Sequence, residues 1–170
     1  MTLLGPAWSE GRLAGIADAL HRNVRDTSLP PPADPDRLIS DETALFCIGA
    51  HMSGLPLNHQ LTALGGRFLQ AARTAPAYRL YALGDRPGLV RASQPAAIEG
   101  AAIEGEIWAL PTTAIGRLLA QVPPPLGFGV VTLADGPCLG FLAEAAGVVD
   151  AKDITRFGGW RPWLAARGAA

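Results

Sequence analysis

The sequence predicts an α+β domain built on a mainly antiparallel sheet, open or closed into a barrel. Three observations lead there. Short apolar runs recur and are joined by hairpin signals: Gly84-Asp85-Arg86-Pro87-Gly88 follows the run at 78–83, and Asp135-Gly136 separates 129–133 from 139–144. Helical periodicity is confined to two or three stretches. An apolar content of 49% and a mean hydropathy of +0.21 over 170 residues suit a packed domain with its own core.

Residues 1–28 form a first unit. Pro6 opens it, and Ser9 is placed to cap a helix over 10–24, with Leu13, Ile16, Ala17 and Leu20 on one narrow apolar stripe. Such a stripe must dock on something. Residues 29–37 carry Pro30, Pro31, Pro32 and Pro35 and read as an extended, semi-rigid linker. The main domain is expected over 38–170.

Its first strand is expected over 43–48, an apolar run that stops at Gly49. A turn and a short helical stretch to Leu64 follow, ended by Gly65-Gly66. Residues 68–73 fit a strand or a helix. Tyr78, Leu80 and Tyr81 favour a pleated surface over 78–83, and 89–91 completes a hairpin after a turn at 84–88. Ala-Ala-Ile-Glu-Gly occurs twice, at 96–100 and 101–105, too short a duplication for a repeat architecture. Residues 102–110 read as a strand and 112–121 as a helix, with Ile115, Leu118 and Leu119 on one face. Pro123, Pro124 and Pro125 stop that helix. A short closing helix or turn is expected over 153–163, bent sharply at Phe157-Gly158-Gly159-Trp160, with a loose tail from Ala165.

The formal net charge is −1 and no basic block is present, so nucleic acid is not an expected partner. No apolar run is long enough for a bilayer span, and no segment reads as a signal peptide. Cys47 and Cys138 have no metal-type spacing and are expected as reduced thiols in a cytoplasmic protein. Lys152 is the only lysine; arginine, which suits planar carboxylate recognition, supplies the other cations.

Strand ends that open into Gly/Pro-punctuated loops commonly present polar groups to ligands. His51 follows the first strand, just past Gly49, where a ligand can approach the backbone closely. Its imidazole can exchange a proton near neutral pH; the alternative is a turn histidine bonded to backbone. Ser53 and Asn58 lie within the same turn. Ser53 as a nucleophile lacks an acid nearby in sequence and any nucleophile-elbow pattern, so hydrogen bonding is its expected role. Arg73, Tyr78 and Arg79 are the candidate anion-binding set, since guanidiniums pair with carboxylates through two parallel bonds. In a strand Tyr78 and Arg79 point to opposite faces. Glu104 and Glu106 share a strand face, as an acid/base pair or as a plain polar surface. No phosphate loop, dinucleotide fingerprint or metal spacing is present, and no cofactor is expected.

Four segments carry a family resemblance: Gly49-Ala50-His51-Met52-Ser53-Gly54-Leu55-Pro56-Leu57-Asn58, Arg73-Thr74-Ala75-Pro76-Ala77-Tyr78-Arg79-Leu80-Tyr81, Glu106-Ile107-Trp108-Ala109-Leu110-Pro111 and Asp153-Ile154-Thr155-Arg156-Phe157-Gly158-Gly159-Trp160. In this order they resemble the C-terminal domain of allophanate hydrolase, and residues 5–24 resemble the last helix of the amidase part that precedes it. The resemblance implies a small mixed barrel with flanking helices, similar to gamma-glutamylcyclotransferases. It implies urea degradation, with N-carboxycarbamate decarboxylated to carbamate and carbon dioxide after an amidase has deaminated allophanate. His51 matches the proton-transfer histidine. Gly49, Ser53, Asn58, Arg73, Tyr78 and Arg79 are the expected substrate-binding residues. The amidase machinery is missing, so the chain looks like a stand-alone or truncated second half.

Two other readings remain: a non-catalytic module docking on an amidase or urea carboxylase, and a cyclotransferase acting on gamma-glutamylamines. The cyclotransferase carboxylate has no counterpart, because 111–133 offers Thr112, Thr113 and Gln121 but no acid. Expected partners are a small dianionic substrate and a separate amidase or urea carboxylase, with homodimerisation left open; neither nucleic acid nor membrane is expected.

Overall fold

The computed structural model describes residues 37–92 and 100–168. The chain divides into two units, Met1–Pro35 and Asp36–Ala170. The expected N-terminal helix and nearly all of the proline-rich linker lie outside the described residues.

The second unit is laid out around β1 (Glu42–Cys47). Leu45, Phe46 and Cys47 are wholly buried in succession, without the alternation of a one-sided strand. Such a run belongs in mid-sheet with both faces covered. β1 pairs antiparallel with β5 (Glu104–Pro111), Leu45 opposite Trp108, and parallel with β7 (Gly136–Ala143), Phe46 opposite Gly140. Outside β5 lies β2 (Arg67–Arg73), and outside β7 lies β6 (Leu126–Leu133), giving the order β2-β5-β1-β7-β6. A second sheet has the order β4-β3-β8, from β3 (Tyr78–Leu83), β4 (Arg86–Arg91) and the two-residue β8 (Lys152–Asp153).

The mainly antiparallel α+β fold is the expected one, with one correction: the larger sheet does not close into a barrel. A single bridge, Thr74 with Leu133, joins the ends of its edge strands, supported by Ala75 N–H donating to Thr132 O at 2.9 Å. A full ladder between β2 and β6 would be needed to seal that seam.

Among the described residues three helices flank the sheets: α1 (Asn58–Ala63), α2 (Thr112–Leu119) and α3 (Trp160–Gly168). Ala114 and Leu118, one turn apart on α2, are buried. α3 continues through Gly168, where a loose tail had been expected from Ala165. Gly158 reaches it in the left-handed region, at φ 70°, just after a short 3-10 turn at Thr155–Phe157.

Two local readings change. The ambiguous stretch at 68–73 is strand, because it pairs with β5 from Arg67 to Arg73, with a register shift between Phe68 and Gln70. β4 begins at Arg86, not Leu89, and the turn is only Gly84-Asp85. Pro87 is tolerated because β4 is an edge strand, where a missing N–H breaks no interior ladder. Cys47 and Cys138 are both free thiols, and burial pushes the Cys47 thiol well up.

Candidate functional site

The segment after β1 is held by its own backbone. Met52 N–H donates to Gly49 O at 2.9 Å and Leu57 N–H to Ala50 O at 2.8 Å. Asn58 Nδ2 donates to His51 O at 2.8 Å, so Asn58 serves the turn. Gly49 meets the second sheet closely: a Cβ there would lie 2.5 Å from Pro87 Cγ. Only glycine lets that proline approach.

The His51 ring stacks on Phe141, with centroids 4.8 Å apart and planes at 17°. Its Nε2 is 2.9 Å from Gln60 Oε1. An amide oxygen only accepts, so as oriented the imidazole carries its proton on Nε2 and Nδ1 is the acceptor. Burial pushes the His51 pKa below its ordinary value; the Gln60 bond pulls the other way, and His59 adds to the lowering. The ring is therefore biased toward neutrality at pH 7. It lines a cavity of about 70 Å³ together with Gly49, Gln60, Arg86, Gln121 and Phe141.

A second cavity, about 490 Å³, is lined by Arg73, Glu104, Glu106, Asp135, Trp160 and Arg161. Glu106 is the buried carboxylate here, 6% exposed. It accepts from Ser53 N–H at 2.7 Å, Ser53 Oγ at 3.0 Å, Trp108 Nε1 at 3.0 Å and Arg161 Nη2 at 2.7 Å. Burial alone would raise its pKa; these donors outweigh it and hold the carboxyl below the usual value. Arg161 also donates to Ser53 O at 2.6 Å. Glu106 and Arg161 thus grip both backbone polar groups of the residue two positions past His51.

The two motifs expected to meet do not share a cavity. His51 and Gly49 line the smaller one and Arg73 the larger, where Arg73 pairs with Glu104. Tyr78 and Arg79 line neither. Arg79 pairs with Asp153 of β8 and lies over the Tyr81 ring. Tyr78 is wholly buried, and its hydroxyl accepts from Thr132 N–H at 2.7 Å and from Arg91 Nη2 at 2.9 Å. It ties the second sheet to β6. Tyr78→Phe leaves the Thr132 N–H without its acceptor, and the expected loss is about 2 kcal/mol, read as a lower urea midpoint at unchanged slope. Gln60, Arg86 and Arg161 carried no expectation. In sequence Arg86 falls in a Gly/Asp/Pro stretch that reads as a turn and so as solvent-facing; in the structure it opens β4, and the Gly49–Pro87 approach sets its neighbours.

Among the described residues, no group of three His, Cys, Asp or Glu is placed to hold a metal ion. No helix among them is long and apolar enough to cross a membrane.

The family model described as allophanate hydrolase C-terminal domain matches residues 43–165. The chain belongs to that family. It is 31% identical over 187 residues to the urea amidolyase of Saccharomyces cerevisiae, covering 96% of this chain and 10% of the relative. The chain therefore spans about a tenth of the length of that curated relative. Among solved structures, Kluyveromyces lactis allophanate hydrolase matches at 34% identity and a TM-score of 0.68, over 74% of this chain and 21% of that one. The uropathogenic E. coli-specific protein c4763 matches at 36% identity and a TM-score of 0.68, over 73% of this chain and 96% of that one. These two solved structures share this mixed α+β fold, here with a larger sheet that stays open.

Proposed function

We propose that this domain acts in urea degradation by decarboxylating N-carboxycarbamate to carbamate, with His51 as the proton-transfer group. The observation that carries the reading is the half-buried His51 ring: one nitrogen is held by Gln60, the other is available, and both belong to a small cavity that also contains a guanidinium.

The chemistry needs little more. In N-carboxycarbamate one C–N bond breaks and carbon dioxide leaves. The electron pair stays on nitrogen, which takes one proton to give carbamate. A positioned donor lowers that barrier. His51 takes the proton on Nδ1 and passes it to the leaving nitrogen, while Gln60 Oε1 steadies the imidazolium through Nε2–H. A dianion in the cavity raises the imidazole pKa and so offsets the lowering by burial. Gly49 gives the cavity its backbone approach, and Ser53 and Asn58 hold the turn that carries His51. Arg73, Tyr78 and Arg79 contribute structure rather than substrate contacts. An amidase or urea carboxylase is the partner that fits the multidomain relatives, in a cytoplasmic setting.

The test adds the purified chain to an amidase that turns over allophanate and follows carbon dioxide. Release should exceed the spontaneous rate in proportion to chain added. Release at the spontaneous rate would leave a docking module. Formation of 5-oxoproline from a gamma-glutamylamine would replace the reading by a cyclotransferase, which is disfavoured because 111–133 sends Gln121, not an acid, to the cavity.

A further inference from the structure

The arginines in and near the two cavities differ in how far they are already engaged. Arg73 pairs with Glu104 and Arg79 with Asp153. Arg161 is bound to Glu106 and to Ser53 O, and Arg91 donates to Tyr78 Oη and Thr132 Oγ1. Arg86 stands apart. Its one ion pair is a 3.6 Å contact from Nε to Asp85, whose side chain is 96% exposed. That carboxylate is well hydrated, and such a pair contributes little. The terminal nitrogens of Arg86 make no hydrogen bond to a described residue, yet the side chain is only 34% exposed and lines the His51 cavity.

Its position is built. Arg86 opens β4 opposite Leu83, fixed by the two-residue turn with Gly84 at φ 67°. The next residue, Pro87, rests on Gly49, which has no Cβ to keep it off. The strand that ends in His51's turn and the hairpin that carries Arg86 therefore meet at one glycine–proline contact. Both flanking side chains reach the same cavity.

We propose that Arg86 is the carboxylate-binding residue of the His51 cavity, taking one end of a small, planar dicarboxylate through paired N–H···O bonds. This rests on the decarboxylation reading for the identity of the natural ligand. Two carboxylates one atom apart are the class it selects: one end is fixed by the guanidinium, and the bridging atom is left beside the imidazole. Arginine presents two parallel donors to a carboxylate, which lysine does not. Monocarboxylates gain only half of this arrangement.

Malonate is the probe, with a methylene in place of the bridging N–H, and acetate is the control. By titration calorimetry the wild-type chain binds malonate more tightly than acetate. Arg86→Gln weakens malonate binding by about tenfold or more, and Arg86→Lys recovers part of it. In the amidase-coupled assay Arg86→Gln raises KM and leaves kcat within a few-fold, whereas His51→Ala lowers kcat. Wild-type melting curves for the Arg86 variants exclude misfolding. Unchanged malonate affinity and KM in Arg86→Gln, with carbon dioxide release still dependent on His51, overturns the role of Arg86 alone. Malonate binding that needs Arg86, in a chain that releases no carbon dioxide, upholds the anion site and overturns the decarboxylation reading instead.

Discussion

Replacing Glu106 with alanine should destabilise the domain by about 3 kcal/mol and lower its Tm by roughly 10 °C. The carboxylate is 6% exposed and accepts hydrogen bonds from Ser53 N–H, Ser53 Oγ, Trp108 Nε1 and Arg161. Its removal leaves the Ser53 N–H and the indole N–H without acceptors, and each unmet buried donor costs about 1–3 kcal/mol. The ion pair itself adds a small part, because Arg161 is 44% exposed and screened by water. Glu106→Gln is the sharper variant. It keeps the shape: the amide oxygen can take the Ser53 and Trp108 donors that meet at Oε2, while the N–H₂ faces the Arg161 guanidinium. It should therefore lose the charge and the Arg161 bond and cost less stability than alanine. Thermal melts at pH 7 check both.

The same carboxylate sets an acid limit. Its pKa is lowered in the folded state, since its donors outweigh the burial that opposes them. The stabilisation is present above the ordinary carboxyl value of 4.5 and is lost as pH falls through the lowered folded pKa. In Glu106→Gln that part of the acid sensitivity should disappear. A mutant that melts like wild type, with an unchanged acid profile, would show that the Ser53 clamp is not what holds the turn.

The second large effect is on rate. His51→Ala should reduce carbon dioxide release over background by about 10²- to 10⁴-fold, the usual range for a positioned acid–base group. The pH profile identifies the group. Burial lowers the His51 pKa in the free domain, so kcat/KM should rise as pH falls and level off below a value under 6.5. Stability moves in the opposite sense. Between the lowered folded pKa and the unfolded value the unfolded chain binds more protons, so the His51 contribution is complete above 6.5 and is lost as pH falls. His59 disfavours the imidazolium, in the same direction as burial, and the Gln60 bond opposes both. A flat profile, or an Ala variant with wild-type rates, would remove His51 from the chemistry.

Much of the fold was legible because it is written in local pattern. The apolar run into Cys47, the alternation of Tyr78 and Leu80 inward with Arg79 and Tyr81 outward, and the Asp135-Gly136 turn each specify an element within a few residues. Residues 68–73 could not be assigned from pattern, since Leu69 and Ala72 fit either period and pairing with β5 decides it. Closure was not legible either. It depends on whether β2 and β6 pair along their length, and they meet only at Thr74 and Leu133. In the site, His51 and Gly49 were legible as a strand-end turn. The cation beside them was not, because arginines look alike in sequence. Arg73 and Arg79 find carboxylates on β5 and β8, while Arg86 is delivered by a contact between residues nearly forty positions apart. Glu106 was visible as one of a carboxylate pair on a strand, yet its partners Ser53 and Arg161 come from segments on either side in sequence.

Of the two cavities, the smaller one beside His51 is where a dicarboxylate should sit, and a crystal structure of the chain soaked with malonate tests this most directly. Ligand density between the imidazole and the Arg86 guanidinium is the predicted result. Density confined to the larger cavity, among Arg73, Glu104 and Arg161, would contradict the account.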